Sequence, residues 1–187
     1  MRCLVLATFF LFSLPAAAGF IELGASVNYR SSGYDDENYI RSTSYTGSFS
    51  YYFYEMCAWE LNYTIGQSEQ LSKGVNTIDD KYKVEDNIEM ISMDLVLSFA
   101  SRQDAFRPYI KMGAGHLTKE RFRTVNEGRR EKISEQSGVV PSGGIGFSLN
   151  ITKEFSIKLG VDAWTSPLEI EPLVVDYAGR AGVAFMF

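Results

Sequence analysis

The sequence predicts an all-β fold, an eight-stranded antiparallel up-and-down transmembrane β-barrel. Three observations lead to this prediction. The chain opens with an export signal, apolar and polar residues then alternate with a period of two in eight successive segments, and short and long connections alternate between those segments. Because successive side chains of a strand point to opposite faces, each segment has one apolar and one polar face.

Residues 1–18 have the anatomy of a secretory signal peptide. Arg2 supplies a positive charge, an apolar run ends at Pro15, and the alanines at 16–18 offer small residues for cleavage. The alternative, a membrane anchor helix, needs an apolar run of about 20 residues, and this run is shorter. We therefore expect this segment to be cleaved and residues 19–187 to form one exported barrel domain.

N-terminal sequencing of the membrane-extracted protein tests this cleavage. Cleavage after Ala18 should give a chain that begins Gly-Phe-Ile-Glu, since Gly19 is then the first mature residue. A mature chain that still carries Arg2 would contradict the signal peptide.

The eight alternating segments follow one another from residue 21 to the last residue. In chain order they are 21–29, 45–53, 59–65, 91–99, 110–114, 145–149, 155–163 and 177–187. The short connections between them are 54–57, 100–107 and 151–154, and the long polar ones are 31–41, 66–87, 119–136 and 165–172. Short turns at one end and long loops at the other are typical of the periplasmic and extracellular ends of a membrane barrel.

The composition of the polar face predicts that the apolar face points outward. A soluble lipocalin-like carrier also has eight strands, but its apolar residues point inward and its outer face carries many Lys, Glu and Asp. Here the polar face is mostly Ser, Thr, Asn and Gly. The aromatic residues of the apolar face also fall towards the two strand ends, as in the aromatic girdles at two lipid interfaces.

Three parts of the sequence carry a family resemblance, namely the glycine-rich residues 107–115, residues 142–148 and the last strand. They resemble the small outer-membrane β-barrel proteins typified by the membrane domain of OmpA and by OmpX. The resemblance implies the outer membrane of a Gram-negative cell envelope. It also implies that Phe185 and Phe187 belong to the signal read by the outer-membrane assembly machinery. It supplies no activity, because this family includes adhesins, enzymes, small pores and structural members.

Seven charged residues have the parity of the barrel interior and form the predicted lumen charge network: Glu22, Glu60, Asp94, Lys111, Lys158, Asp162 and Arg180. We expect Asp94 to pair with Lys111 on the adjacent strand. We also expect Asp162 to pair with Arg180. Since eight strands leave room only for side chains, a salt-bridge plug is favoured, and a narrow pore or carrier for small solutes is the alternative.

The composition indicates no catalytic, cofactor or metal site. The chain has one histidine, His116, so a histidine metal cluster is excluded, and a net charge of −5 makes a nucleic-acid partner unfavourable. The residues from His116 to Thr118 resemble the His-x-Ser of outer-membrane lipid A deacylases, but with threonine in place of the serine nucleophile. We therefore expect no enzyme, and a lipid-modifying enzyme ranks third among the hypotheses.

The connection 119–136 has two interpretations. It holds six basic and four acidic residues. Its arginines and lysines suit the phosphates of lipopolysaccharide, which together with the outer-membrane lipids is an expected partner. Alternatively, it is a solvated hairpin whose charges pair among themselves.

Overall fold

The computed structural model describes residues 19–35, 38–73, 81–125, 130–165 and 175–187. Within these ranges the protein is a closed antiparallel barrel in which each strand pairs with its neighbour in the chain. The strands are β1 (Phe20–Asp35), β2 (Asn38–Tyr54), β3 (Cys57–Lys73), β4 (Lys81–Ser98), β5 (Phe106–Val125), β6 (Glu131–Asn150), β7 (Phe155–Thr165) and β8 (Val175–Met186). The predicted fold class is confirmed. Among the described residues, no helix has the length and apolar character that crossing a membrane requires.

Strands β1 and β8 close the barrel. Their register runs from Glu22 opposite Met186 to Tyr29 opposite Gly179. Two further backbone hydrogen bonds extend this ladder, since the Phe187 amide donates to the Ile21 carbonyl at 2.8 Å and the Ile21 amide donates to the Phe187 carbonyl at 3.4 Å. Closure satisfies the backbone groups that an open sheet edge would expose to lipid.

Most apolar side chains of the barrel point outward, and most of the polar side chains between them point into the lumen. On β4, for example, the Met93 side chain is 52% exposed, whereas the neighbouring Ser92 is 4% exposed. On β7 and β6, Val161 is exposed and Ser148 is buried. The predicted polarity of the barrel is confirmed, and the inverted, lipocalin-like alternative is wrong.

Two rings of exposed aromatic residues bound the outer apolar surface, which we call the apolar band. One ring lies towards the long hairpins and contains Tyr29, Tyr45, Tyr63 and Tyr177. The other lies towards the short turns and includes Tyr51, Trp59, Phe99, Phe106, Phe185 and Phe187. Aromatic rings are favoured at the two lipid–water interfaces, so the band marks the part of the barrel that spans the membrane.

The strands are longer than predicted. Most of the residues predicted as long connections at 31–41, 66–87 and 119–136 lie in β1 to β6, which continue well beyond the apolar band. Beyond the band most residues on both faces of a hairpin are polar, so the alternation on which the prediction relies is lost although the backbone ladder continues. Residues 166–172 of the predicted fourth connection lie outside the described residues.

The predicted short turns are confirmed. Glu55 and Met56 join β2 to β3, residues 99–105 join β4 to β5, and residues 151–154 join β6 to β7. Thr152 stabilises the last of these turns, because its hydroxyl accepts a hydrogen bond from the Phe155 amide at 2.9 Å. We call this the short-turn end of the barrel and the opposite end the long-hairpin end.

Candidate functional site in the barrel lumen

A small apolar cluster, which we call the floor, lies in the lumen at the short-turn end. Tyr52, Ala58, Val96 and Tyr109 form a buried cluster, and Phe20 packs against it. The ring of Phe20 stacks on the ring of Tyr52 with centroids 4.2 Å apart. The interior of an eight-stranded barrel is just wide enough for side chains packed in this way.

Inward glycines make room for the large side chains of the lumen. A Cβ atom at Gly146 would lie 2.6 Å from the Tyr109 hydroxyl oxygen. A Cβ atom at Gly144 would lie 2.6 Å from Asp162 Oδ1 and 2.9 Å from Lys111 Cε. These positions therefore require glycine because an ion pair and a tyrosine ring occupy the space that a side chain would take.

Glu60 on β3 is the centre of the charge network above the floor. Its carboxylate lies 3.6 Å from Lys111 Nζ, 3.7 Å from Lys158 Nζ and 3.5 Å from Arg180 Nη1. All four side chains are buried. One carboxylate thus contacts three cations that come from β5, β7 and β8, on the other side of the barrel.

Two further carboxylates complete the network. Glu22 pairs with Lys158. Asp162 lies 3.0 Å from Lys111 Nζ and 3.5 Å from Arg180 Nη1. Six of the seven predicted lumen residues therefore form one connected set of ion pairs, and the expected Asp162–Arg180 contact is among them.

The expected pair between Asp94 and Lys111 is wrong. In the β4–β5 register Asp94 lies opposite Gly113, and Lys111 turns instead to Glu60 and Asp162. Asp94 accepts hydrogen bonds from the Ser142 hydroxyl at 2.6 Å and from Asn62 Nδ2 at 2.9 Å. Neutral donors therefore solvate this buried carboxylate, and no cation lies within salt-bridge distance of it among the described residues.

Sequence reasoning missed Arg107. Arg107 is the last residue of the predicted connection 100–107, yet it is 2% exposed and faces the lumen near the floor. Its Nη2 lies 3.5 Å from the Tyr52 hydroxyl, and its guanidinium lies 5.5 Å from the Tyr52 ring centroid. Its parity with Tyr109 and Lys111 was the signal that could have identified it. With Arg107, the lumen charges that we describe are four acidic and four basic.

A second group of inward charges lies above the apolar band, at the long-hairpin end. Arg30 pairs with Asp176 at 2.6 Å. Asp86 pairs with Lys119 at 3.0 Å and with Arg121 at 2.8 Å. Burial raises the pKa of Asp86, but the hydrogen bond from Arg121 and the charge of Lys119 outweigh it, so this pKa lies below its ordinary value.

Charges in the described part of the connection 119–136 pair with one another or with neighbouring hairpins. Lys132 contacts Glu120 at 2.6 Å and Glu135 at 2.8 Å. Arg130 contacts Glu85 at 2.9 Å. These contacts favour the solvated-hairpin interpretation of this connection.

His116 lies on the outer face of β5, as its parity predicts. Its Nε2 lies 3.2 Å from the hydroxyl of Ser137 on β6, and that hydroxyl also lies 3.3 Å from the Thr118 hydroxyl. All three side chains are on the outside of the barrel, away from the lumen network. The predicted assembly residues Phe185 and Phe187 also face outward, with ring centroids 4.9 Å apart.

The family comparison agrees with this architecture. Residues 4–166 match the model of the outer membrane protein beta-barrel domain. The chain belongs to this family. A protein of the outer membrane protein beta-barrel family lies in the outer membrane, and the resemblance to small barrels of the OmpA and OmpX type is confirmed.

Solved structures of small outer-membrane barrels have the same fold. The N-terminal barrel of OprF from Pseudomonas aeruginosa has 18% identity and a TM-score of 0.55, with 90% of this chain and 97% of that chain covered. Neisserial surface protein A has 14% identity and a TM-score of 0.56, with coverage of 90% and 97%. OprG from Pseudomonas aeruginosa has 14% identity and a TM-score of 0.57, with coverage of 90% and 95%. The search of curated proteins returned no match.

Proposed function

We propose that this protein is a structural and surface-interaction component of the outer membrane. In this proposal the barrel is rigid, its lumen is plugged, and its four extracellular connections are displayed at the cell surface. The observation that carries the proposal is the set of ion pairs centred on Glu60, which joins five strands across the lumen. Transport through the barrel is therefore not its role.

Two successive obstructions support a closed lumen. A solute that entered from the long-hairpin end would first have to separate Glu60 from its three cations. It would then have to displace the apolar floor, in which Tyr52 and Tyr109 are buried. Separating buried ion pairs leaves charges without compensation in a low dielectric, which is costly.

The proposal includes partners but no catalytic activity. Outer-membrane lipids and lipopolysaccharide surround the apolar band, and the assembly machinery reads the outward Phe185 and Phe187. A lipid-modifying role for His116 would need an acid to orient the histidine and donors for an oxyanion. The hydrogen bond found at His116 is with the Ser137 hydroxyl, and that hydroxyl in turn contacts the Thr118 hydroxyl.

Planar-bilayer conductance of the refolded protein tests the proposal. The wild-type barrel should show no stable open state, because the Glu60 network and the floor both cross the lumen. The double variant Tyr52→Ala with Glu60→Ala should conduct more than the wild type. Its conductance would verify that the barrels insert into the bilayer and that an open lumen can be detected. A stable unit conductance of the wild type would instead favour the narrow pore and overturn the plugged lumen.

A further inference from the structure

A cavity of about 260 Å³, which we call the upper cavity, lies in the lumen within the long-hairpin end. A smaller cavity of about 30 Å³ separates it from the charge network, since Lys111 and Asp162 of the network line that smaller one. Ser42, Ile88 and Trp164 line both, so they form the bottom of the upper cavity. Ligand pockets usually measure roughly 300–1,000 Å³, so the upper cavity suits a small solute.

The charged side chains of the upper cavity already have partners. Five of its lining residues are charged, namely Arg30, Asp86, Lys119, Arg121 and Asp176. Arg30 pairs with Asp176, and Asp86 pairs with Lys119 and with Arg121. A charged solute would have to compete with these ion pairs and to lose its own hydration, which is costly. The wall therefore favours a neutral solute over an ion.

Neutral polar side chains of the upper cavity, in contrast, have hydrogen-bonding groups to spare. These are the hydroxyls of Ser42 and Ser68, the amides of Gln70 and Gln136, and the indole N–H of Trp164. Within the described part of the chain, none of these side chains makes a hydrogen bond. Their polar atoms are not fully buried, so a bound solute can reach them. Amides and hydroxyls both donate and accept, which is what the hydroxyl groups of a solute require.

Apolar groups also form part of this wall. Ile40 and Ile88 line the cavity together with the indole of Trp164. The indole presents an apolar ring face as well as its polar N–H. A solute that matches the whole wall therefore has several hydroxyl groups around an apolar C–H face.

We propose that the upper cavity binds a neutral monosaccharide, that is, one sugar ring with free hydroxyl groups. The C–H face of the ring packs on the indole of Trp164, and its hydroxyls exchange hydrogen bonds with Gln70, Gln136 and the serines. The sugar binds and leaves at the long-hairpin end, because the charge network lies below. This binding is additional to surface display and needs only a folded barrel, so either proposal can fail without the other.

Trp164 provides a direct measurement. Trp59, the only other tryptophan of the chain, lies on the outer face near the short turns. In a Trp59→Phe barrel, all tryptophan emission therefore comes from the upper cavity. A saturating neutral hexose should lower the quenching of this emission by acrylamide about twofold, because a pocket covers most of a bound ligand and the ligand covers the indole. Half-saturation should lie in the millimolar range, since a small solute gains little binding free energy.

Competing solutes test the chemical class of the ligand. Glucose, galactose, mannose and N-acetylglucosamine are the neutral probes, and at least one should protect Trp164. Glucuronate carries a negative charge on the same ring and should protect less than glucose. Glycerol at equal mass concentration controls for viscosity and should protect little. Equal or stronger protection by glucuronate would overturn the neutral ligand. Equal protection by glycerol, or none by any hexose, would overturn the binding site.

Variants locate the effect in the upper cavity. Gln70→Ala with Gln136→Ala should raise the half-saturating sugar concentration about tenfold, because two amides that bind hydroxyls are lost. Gln136→Ala alone should raise it less. Gln67→Ala is the matched control, since it removes an exposed glutamine from the outer face of the same strand as Gln70. Unchanged binding in the double variant, or an equal effect of Gln67→Ala, would overturn the proposal.

Discussion

Glu60→Gln is expected to lower the free energy of unfolding in lipid by about 3–5 kcal/mol, the cost of removing one partner from a buried ion pair. Glutamine keeps the shape of the side chain but removes the negative charge that faces Lys111, Lys158 and Arg180. Three buried cations then share only Glu22 and Asp162. Urea titration of the protein folded into vesicles, followed by tryptophan emission, measures the change.

A control and a double variant separate the charge from general damage. Glu120→Gln removes a carboxylate from the exposed pair with Lys132, so it should cost less than about 1 kcal/mol. Glu60→Gln with Arg180→Met removes a negative and a positive charge together, and it should be more stable than the sum of the single variants predicts. Strictly additive losses would contradict direct pairing of Glu60 with Arg180.

The sequence predicts the inside and the outside of the barrel because that information is local. Met93 and Ser92 are neighbours on one strand, and the period of two alone assigns them to lipid and to lumen. The same local rule places the six network residues and the missed Arg107 in the interior. Beyond the apolar band, mostly polar residues on both faces of a hairpin give no alternation, so the rule predicts β1 to β6 shorter than they are.

The partners of the lumen charges depend on information that is not local. Lys111 on β5 contacts Glu60 on β3 and Asp162 on β7. Neither strand is a neighbour of β5, whereas the prediction paired Lys111 with Asp94 because β4 is. Contacts across a barrel depend on its shear, on the tilt of every strand and on side-chain length. Adjacent-strand pairing therefore predicts Asp162–Arg180 and fails for Asp94–Lys111.

Met93→Arg is expected to impair folding into bilayers, at a cost of roughly 2–4 kcal/mol for an arginine on the lipid face near the midplane. Met93 is 52% exposed and lies opposite Leu61, which is midway along β3 between Trp59 and Tyr63 of the two aromatic rings. An arginine there has to remain in hydrocarbon or stretch to a lipid interface. The fraction of refolded protein, separated by its heat-dependent gel mobility, and urea titration in the same vesicles give the two readouts.

Ile133→Arg is the matched control for this prediction. Ile133 is also an exposed apolar residue of a strand, but it lies on β6 beyond the apolar band, where its side chain meets water. The same substitution should therefore leave folding and stability almost unchanged there. If Ile133→Arg cost as much as Met93→Arg, depth in the bilayer would not decide the effect, and the boundaries that we assign to the apolar band would be wrong. A large difference between the two variants would instead show that the lipid begins between these two levels of the barrel.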